Sequence, residues 1–134
     1  MWVFDVDGCL IDSLTGSSLR PGAFELLTYL RDGGGTVFVW SAGGGDYAHR
    51  RAVEQGIDAL LDGFHGKDRR DRSGRYVTDH FLTGLDGIVF VDDRPEDMPI
   101  GADVVAVSPY LSDDPHDRGL ARVAERIGIE FSTL

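Results

Sequence analysis

Three short apolar runs, rich in β-branched and aromatic residues, constrain the fold of this chain more than any other feature of its sequence. They cover residues 2–6, 36–40 and 88–91, and residues 104–107 form a candidate fourth run. None of them alternates polar with apolar residues, as a strand exposed on one face does. Each run therefore predicts a strand that is covered on both faces.

Helical patterns lie between and after these runs. They cover residues 24–30, 47–55, 77–85 and 120–127, and glycines follow the first three. Strands that alternate with helices predict right-handed crossover connections and a parallel sheet. We therefore expect an α/β fold, a doubly wound three-layer Rossmann-like sheet, in which functional residues lie at the carboxyl ends of the strands.

Length and composition agree with one domain. A chain of 134 residues can bury about two-thirds of the surface that it exposes when unfolded. Apolar residues make up 42% and charged residues 27%, and no apolar run approaches the about 20 residues that span a bilayer, so we expect no membrane partner. The single Cys9 cannot form an internal disulfide, and a strand that starts at Trp2 leaves no room for a signal peptide. We therefore expect a cytoplasmic protein.

Basic residues are few and partly clustered. The net charge of −10 argues against a broad surface for the phosphates of nucleic acids. A loop at residues 67–75 nevertheless contains Lys67 and the arginines Arg69, Arg70, Arg72 and Arg75. This loop is either a solvated surface of mixed charge or a local phosphate-binding segment, and the sequence leaves both readings open.

Acidic residues end two of the predicted strands. Asp5 and Asp7 leave the first strand on the same side, because side chains alternate along a strand. Two carboxylates held so close repel each other and lose water unless a cation, a shared proton or catalytic work compensates. Asp92 and Asp93 follow the third run, and Ser41 follows the second. The sequence therefore predicts that these side chains meet Lys67 in one crevice.

In their order along the chain, these residues resemble the motifs of the haloacid dehalogenase-like (HAD) superfamily of phosphatases and phosphotransferases. The first motif is Asp5-Val6-Asp7-Gly8-Cys9-Leu10, with Cys9 where the family usually has threonine. The second is Ser41, the third is best matched by Lys67, and the fourth is Asp92-Asp93-Arg94-Pro95-Glu96-Asp97. The resemblance implies that residues 1–134 form a HAD-like hydrolase core domain.

The resemblance also implies a role for each motif residue. Asp5 is the nucleophile that forms an aspartyl-phosphate, and Asp7 acts first as general acid and then as general base. Lys67 contacts the phosphoryl group and holds the pKa of Asp5 down, and Asp97 orients Lys67. Ser41 and the backbone N–H groups of Ala42 and Gly43 donate hydrogen bonds to the phosphoryl oxygens. The ligands of Mg²⁺ are the Asp5 carboxylate, the Asp7 backbone carbonyl and a carboxylate from Asp92 or Asp93.

Simpler readings stay open for three of these positions. Asp97 could be an ordinary N-cap or first-turn acid. Ser41 could end its strand and cap the helix that follows. Lys67 could lie on the surface, with Arg69 or Arg70 in its place.

The implied function is that of a Mg²⁺-dependent phosphomonoesterase without a cap domain. Only a short flap separates Asp7 from Pro21, and residues 42–66 have room for one helix and a turn. Such an open site needs a large substrate or a second subunit of a homo-oligomer to cover it. We favour a small or peptide-borne phosphate over a nucleic-acid end, because the charge is negative and the 67–75 loop lacks stacking aromatic residues.

Other functions remain as alternatives. The chain could be a catalytically degenerate HAD-like module that binds without turnover, or, within the enzymes, a polynucleotide 3′-end or phosphoprotein phosphatase. A receiver-like signalling domain is disfavoured, because that family carries its phosphoryl acceptor after a middle strand rather than the first.

Overall fold

Five parallel strands form one sheet in the computed structural model, which describes residues 1–134. Along the chain they are β1 (Trp2–Asp5), β2 (Val37–Ser41), β3 (Gly63–Gly66), β4 (Val89–Asp92) and β5 (Asp103–Ala106). Their spatial order is β3-β2-β1-β4-β5, and β1 pairs in parallel with both β2 and β4. The chain direction across the sheet thus reverses beside β1, which is where sheets of this kind bind their ligands.

Three helices cover one face of the sheet. They are α1 (Ala23–Asp32), α2 (Gly45–Glu54) and α3 (Ala121–Arg126). All three bury small or aliphatic side chains, such as Leu27 of α1, Ala52 of α2 and Val123 of α3, in one apolar cluster with the sheet residues Phe4 and Val91. None of them has the length and apolar character that a membrane crossing requires.

The opposite face is covered by irregular chain. The helix expected over residues 77–85 is wrong: this segment forms turns, in which the N–H groups of Phe81 and Leu82 both bond to the carbonyl of Thr78. Its apolar side chains instead lie against the sheet, with the ring of Phe81 5.7 Å from that of Trp40. The expected α/β fold with a doubly wound parallel sheet is confirmed, and its third layer is a packed loop rather than a helix.

The expected strands are present within one residue of their predicted bounds, but the sequence analysis missed β3. Its sequence, Gly-Phe-His-Gly, is short and bounded by glycines, so it carries almost no strand signal. Parallel pairing with β2 sets Gly66 opposite Ser41, and the N–H of Lys67 bonds to the Ser41 carbonyl at 2.8 Å. This edge strand therefore delivers Lys67 to the carboxyl end of the sheet.

Candidate active site

The predicted site residues converge on a crevice of about 680 Å³ at the carboxyl ends of β1, β2 and β4. Seven of the eight line it: Asp5, Asp7, Ser41, Ala42, Lys67, Asp92 and Asp93. Gly43 does not, because its N–H turns back and bonds to the Ser41 Oγ at 3.0 Å. Arg70, Tyr76 and Arg94 are additional lining residues.

Lys67 links two of the carboxylates. Its Nζ donates to Asp5 Oδ1 at 2.9 Å and to Asp92 Oδ2 at 3.1 Å, and its side chain is only 8% exposed. The remaining Asp92 oxygen, Oδ1, accepts the N–H of Arg94 at 2.9 Å. Lys67 is therefore not a surface residue, and both oxygens of Asp92 already have donors.

The electrostatic balance of this cluster is negative. Burial and the nearby Asp92 carboxylate raise the pKa of Asp5 well above its usual range, although Lys67 acts in the opposite direction. Burial also raises the pKa of Asp92 to about 6. Burial alone would lower the pKa of Lys67, but Asp5 and Asp92 outweigh it and raise that pKa. The expectation that Lys67 holds the pKa of Asp5 low is therefore wrong for the site without a cation, since one ammonium faces several carboxylates.

A divalent cation suits the donor set of this cluster. Carboxylate oxygens of Asp5, Asp92 and Asp93 lie within 4.8 Å of one another. Hard oxygen ligands of this kind are those that Mg²⁺ and Ca²⁺ prefer, and a cation would offset the repulsion that raises the pKa of Asp5. The Asp93 carboxyl group lies near that of Asp5 and makes no hydrogen bond with another side chain or with the backbone. Asp5 and Asp93 therefore have free oxygens for a metal, whereas those of Asp92 are engaged.

Asp7 is held by a residue that the sequence analysis did not single out. The Tyr47 hydroxyl on α2 donates to Asp7 Oδ1 at 3.0 Å and to Oδ2 at 2.9 Å. Arg51, one turn later on the same helix, donates from Nε to the Tyr47 oxygen at 3.3 Å. The spacing of four residues between a tyrosine and an arginine was visible in the sequence, but nothing there indicates that this helix face meets Asp7.

Ser41 and Ala42 form the side of the crevice beneath α2. Ser41 is buried, and because its Oγ accepts the N–H of Gly43, its own hydroxyl proton is free to point into the crevice. No hydrogen bond within the chain uses the N–H of Ala42. The N-cap of α2 is Gly44, with no side-chain cap, so the alternative reading of Ser41 as a helix cap is wrong.

Aromatic rings form the wall behind Lys67. Its Nζ lies 5.2 Å from the ring centroid of Trp40 and 5.3 Å from that of Tyr76, within the range of a cation–π interaction. The resemblance implied that Asp97 contacts Lys67, but it does not. The Asp97 carboxylate instead lies 3.4 Å from the guanidinium of Arg70. Lys67 is therefore oriented by Asp92 and by two rings.

The flap over residues 8–20 is fixed by a buried arginine. Arg20 is 1% exposed and donates to Asp117 at 2.6 Å, to the carbonyl of Cys9 and to the carbonyl of Ser108. Cys9 is fully buried, and burial raises the pKa of its thiol, so it serves as a packing residue. The flap has no room for a cap domain, and its exposed Leu14 lies beside the crevice rim with its N–H bonded to the carbonyl of Leu111.

Comparison with known proteins gives likeness in structure only. No protein-family model matches the sequence, and no curated protein matches it. The core domain of "a putative phosphoglycolate phosphatase" from Streptococcus pneumoniae TIGR4 aligns with 95% of this chain and 93% of its own length, at a TM-score of 0.59 and 16% identity. A crystal structure of a second protein aligns with 95% of this chain and 79% of its own, at a TM-score of 0.50 and 16% identity. These likenesses confirm the fold that the motifs implied.

Proposed function

We propose that this protein is a Mg²⁺-dependent phosphomonoesterase that works through an aspartyl-phosphate on Asp5. One observation carries the proposal: Asp5, at the end of the central strand, contacts Lys67 in a crevice that also contains Asp7, Ser41, Asp92 and Asp93. The solved structure with a TM-score of 0.59, whose name describes a phosphatase, supports the same class of reaction.

The first half-reaction transfers the phosphoryl group to the protein. An Asp5 oxygen attacks phosphorus, the bond between phosphorus and the leaving oxygen breaks, and Asp7 gives its proton to that oxygen to release an alcohol. Ser41 and the N–H of Ala42 donate to the phosphoryl oxygens, and the Lys67 ammonium offsets their charge. Asp5 offers one oxygen, Oδ1, in contact with Lys67 and a second one for the metal, so the attacking carboxylate lies between two positive charges.

The second half-reaction restores the protein. Asp7 takes a proton from water, whose oxygen attacks phosphorus, and the bond to Asp5 breaks to release inorganic phosphate. We assign the metal to Asp5, Asp93 and the Asp7 carbonyl, with Asp92 orienting Lys67. Bound there, Mg²⁺ would supply positive charge against the phosphoryl oxygens and the Asp5 carboxylate.

The substrate that we propose is a small or peptide-borne phosphate. Most arginines of the 67–75 loop already have partners within the chain: Arg69 pairs with Asp79, Arg70 with Tyr76, and Arg75 with the carbonyl of Met98. Only Arg70 of these lines the crevice. This favours the reading of the loop as a solvated surface, and it leaves the exposed Leu14 and Leu111 as the rim that a large substrate or a second copy of the chain would cover.

Hydrolysis of p-nitrophenyl phosphate tests the proposal. We expect turnover with Mg²⁺, loss of turnover with a chelator, and no turnover by Asp5→Asn, whose amide keeps the shape but not the nucleophile. Asp86→Asn is the matched control, since Asp86 is exposed and lies at the opposite end of the sheet. A protein that binds Mg²⁺ but hydrolyses no ester would instead be a degenerate binding module.

A further inference from the structure

A hydrogen-bonded chain on α2 ends at Asp7. Arg51 donates to Tyr47, and the Tyr47 hydroxyl donates to both oxygens of the Asp7 carboxylate, at 3.0 and 2.9 Å. Tyr47 is not among the residues that line the crevice. Its polar contact with the site is made through Asp7.

Two glycines leave room for the side chains of Tyr47 and Arg51. A Cβ placed on Gly43 would lie 2.7 Å from the Tyr47 ring, and one on Gly16 would lie 2.7 Å from Arg51 Cζ, so neither position accepts a side chain without moving its neighbour. Gly16 also has a φ of +67°, which side-chain-bearing residues rarely adopt. The flap and the turn after β2 thus close directly on Tyr47 and Arg51.

The direction of the Tyr47 hydroxyl is set by Arg51. A guanidinium can only donate, so the Tyr47 oxygen accepts from Arg51 and its single proton is directed at Asp7. A carboxyl group retains an acceptor oxygen after it is protonated. The bond from Tyr47 can therefore persist whether or not the Asp7 carboxyl group carries a proton.

We propose that Tyr47, fixed by Arg51, is a positioning residue that holds the Asp7 carboxyl in place for proton transfer to the leaving oxygen. The proposal rests on the proposed phosphatase function and adds no step to it. The proton moves from Asp7 to the leaving oxygen as the phosphorus–oxygen bond of the ester breaks and the bond to Asp5 forms. Tyr47 keeps its own proton throughout.

The test compares two esters that differ in their need for the acid. Phenyl phosphate has a poor leaving group, whereas p-nitrophenol leaves without a proton. The measured quantity is kcat/KM, which covers the steps up to departure of the leaving group. For Tyr47→Phe we expect a loss of about tenfold or more on phenyl phosphate and less than about threefold on p-nitrophenyl phosphate, since a misplaced acid affects only the first.

One further variant and two control variants complete the design. Arg51→Met should give the same selective loss, smaller in size, because it removes only the group that directs the hydroxyl. Tyr29→Phe and Arg122→Met are the controls: both residues are exposed on other helices and have no hydrogen-bonded side-chain partner. Melting temperatures of all variants identify any loss that comes from unfolding.

A double-mutant cycle separates positioning from a structural role. If Tyr47 acts through Asp7, Tyr47→Phe should change nothing further on phenyl phosphate once Asp7→Asn is present. Equal losses on both esters, or losses that multiply in the double variant, would overturn the assignment of Tyr47 while leaving the phosphatase function in place. Absence of hydrolysis by the wild-type protein would overturn the proposed function itself, and the role of Tyr47 with it.

Discussion

Removal of one acidic ligand should affect the stability of this protein in opposite directions with and without metal. Carboxylate oxygens of Asp5, Asp92 and Asp93 lie within 4.8 Å of one another, and the only ammonium beside them is that of Lys67. We predict that Asp93→Asn raises the melting temperature of the metal-free protein and abolishes most of the stabilisation that Mg²⁺ gives.

The size of both effects follows from the site. A ligand that binds only the folded state at a hundred times its dissociation constant adds about 2.7 kcal/mol to the free energy of unfolding. With an unfolding entropy of about 2.1 cal/mol/K per residue, this raises the melting temperature of a 134-residue chain by about 10 °C. The pKa of Asp92, raised by burial to about 6, corresponds to a cost of about 3 kcal/mol when the group is ionised. Burial is the main cause of that cost and the Asp93 charge is a lesser one, so Asp93→Asn should relieve only part of it and stabilise the metal-free fold by about 1 kcal/mol.

The sign of the pH dependence follows from the same shifts. The pKa values of Asp5 and Asp92 are higher in the folded than in the unfolded chain, so ionisation of these groups opposes folding. That cost is absent below the unfolded pKa, grows as pH rises through the folded pKa, and is then constant. Mg²⁺ competes with these protons, so its stabilising effect should be large at pH 7.5 and should decline below about pH 6.

Thermal unfolding followed by circular dichroism, with a chelator and with excess Mg²⁺, measures both effects. Asp86→Asn, far from the crevice, should leave both unchanged. A wild-type melting temperature that does not move with Mg²⁺, or an Asp93→Asn variant that keeps the full shift, would refute the assignment of Asp5 and Asp93 to a metal site.

Further predictions concern the general acid Asp7, the aromatic wall behind Lys67, the flap over residues 8–20 and the loop at residues 67–75. Asp7→Asn should lower kcat/KM by about 10²-fold or more on phenyl phosphate and far less on p-nitrophenyl phosphate; equal losses would contradict its role as the acid. Trp40→Leu should remove one cation–π contact of Lys67 and lower the rate of ester hydrolysis. The affinity of the variant for inorganic phosphate, measured by product inhibition, should fall as well. Arg20→Met should cost about 3–5 kcal/mol in urea unfolding, because it leaves Asp117 without its partner and buried carbonyls without donors. Replacing Arg69, Arg70 and Arg72 together with alanine should leave the rate on small esters, and its dependence on salt, nearly unchanged; a steep salt dependence on a phosphorylated oligonucleotide that this change removes would favour a nucleic-acid substrate.

The sheet could be predicted from sequence because its central strands are buried on both faces. Continuous apolar runs such as residues 2–6 and 88–91 have that origin, and the acidic residues that end them mark the carboxyl edge of the sheet. The edge strand β3 and the loop over residues 77–85 were missed or misread, since their conformation is decided by tertiary contacts. Phe81 packs on Trp40 from a turn, and apolar residues at this spacing can face a sheet from either a helix or a folded loop.

The site was predicted in part for a similar reason. Residues that end strands, such as Asp5, Ser41 and Asp92, are placed by topology alone, so their convergence followed from the pattern. Tyr47 reaches the site from a helix and Trp40 from the far face of the sheet, and Arg20 fixes the flap beside it. Only the packing of those elements brings these residues to their places. The pKa of Asp5 was misjudged because its burial and the proximity of Asp92 depend on that same packing.

Chemical trapping of the phosphorylated residue tests the central claim most directly. Asp7→Asn, incubated with p-nitrophenyl phosphate and Mg²⁺, should accumulate the aspartyl-phosphate, because this ester needs no acid and the base that opens the intermediate is missing. Borohydride reduces an acyl phosphate to an alcohol, and trypsin, which does not cleave before Pro21, should release residues 1–31 as one peptide. The account predicts homoserine at position 5 of that peptide. Ester hydrolysis without homoserine at position 5, or with homoserine at another aspartate, would contradict it.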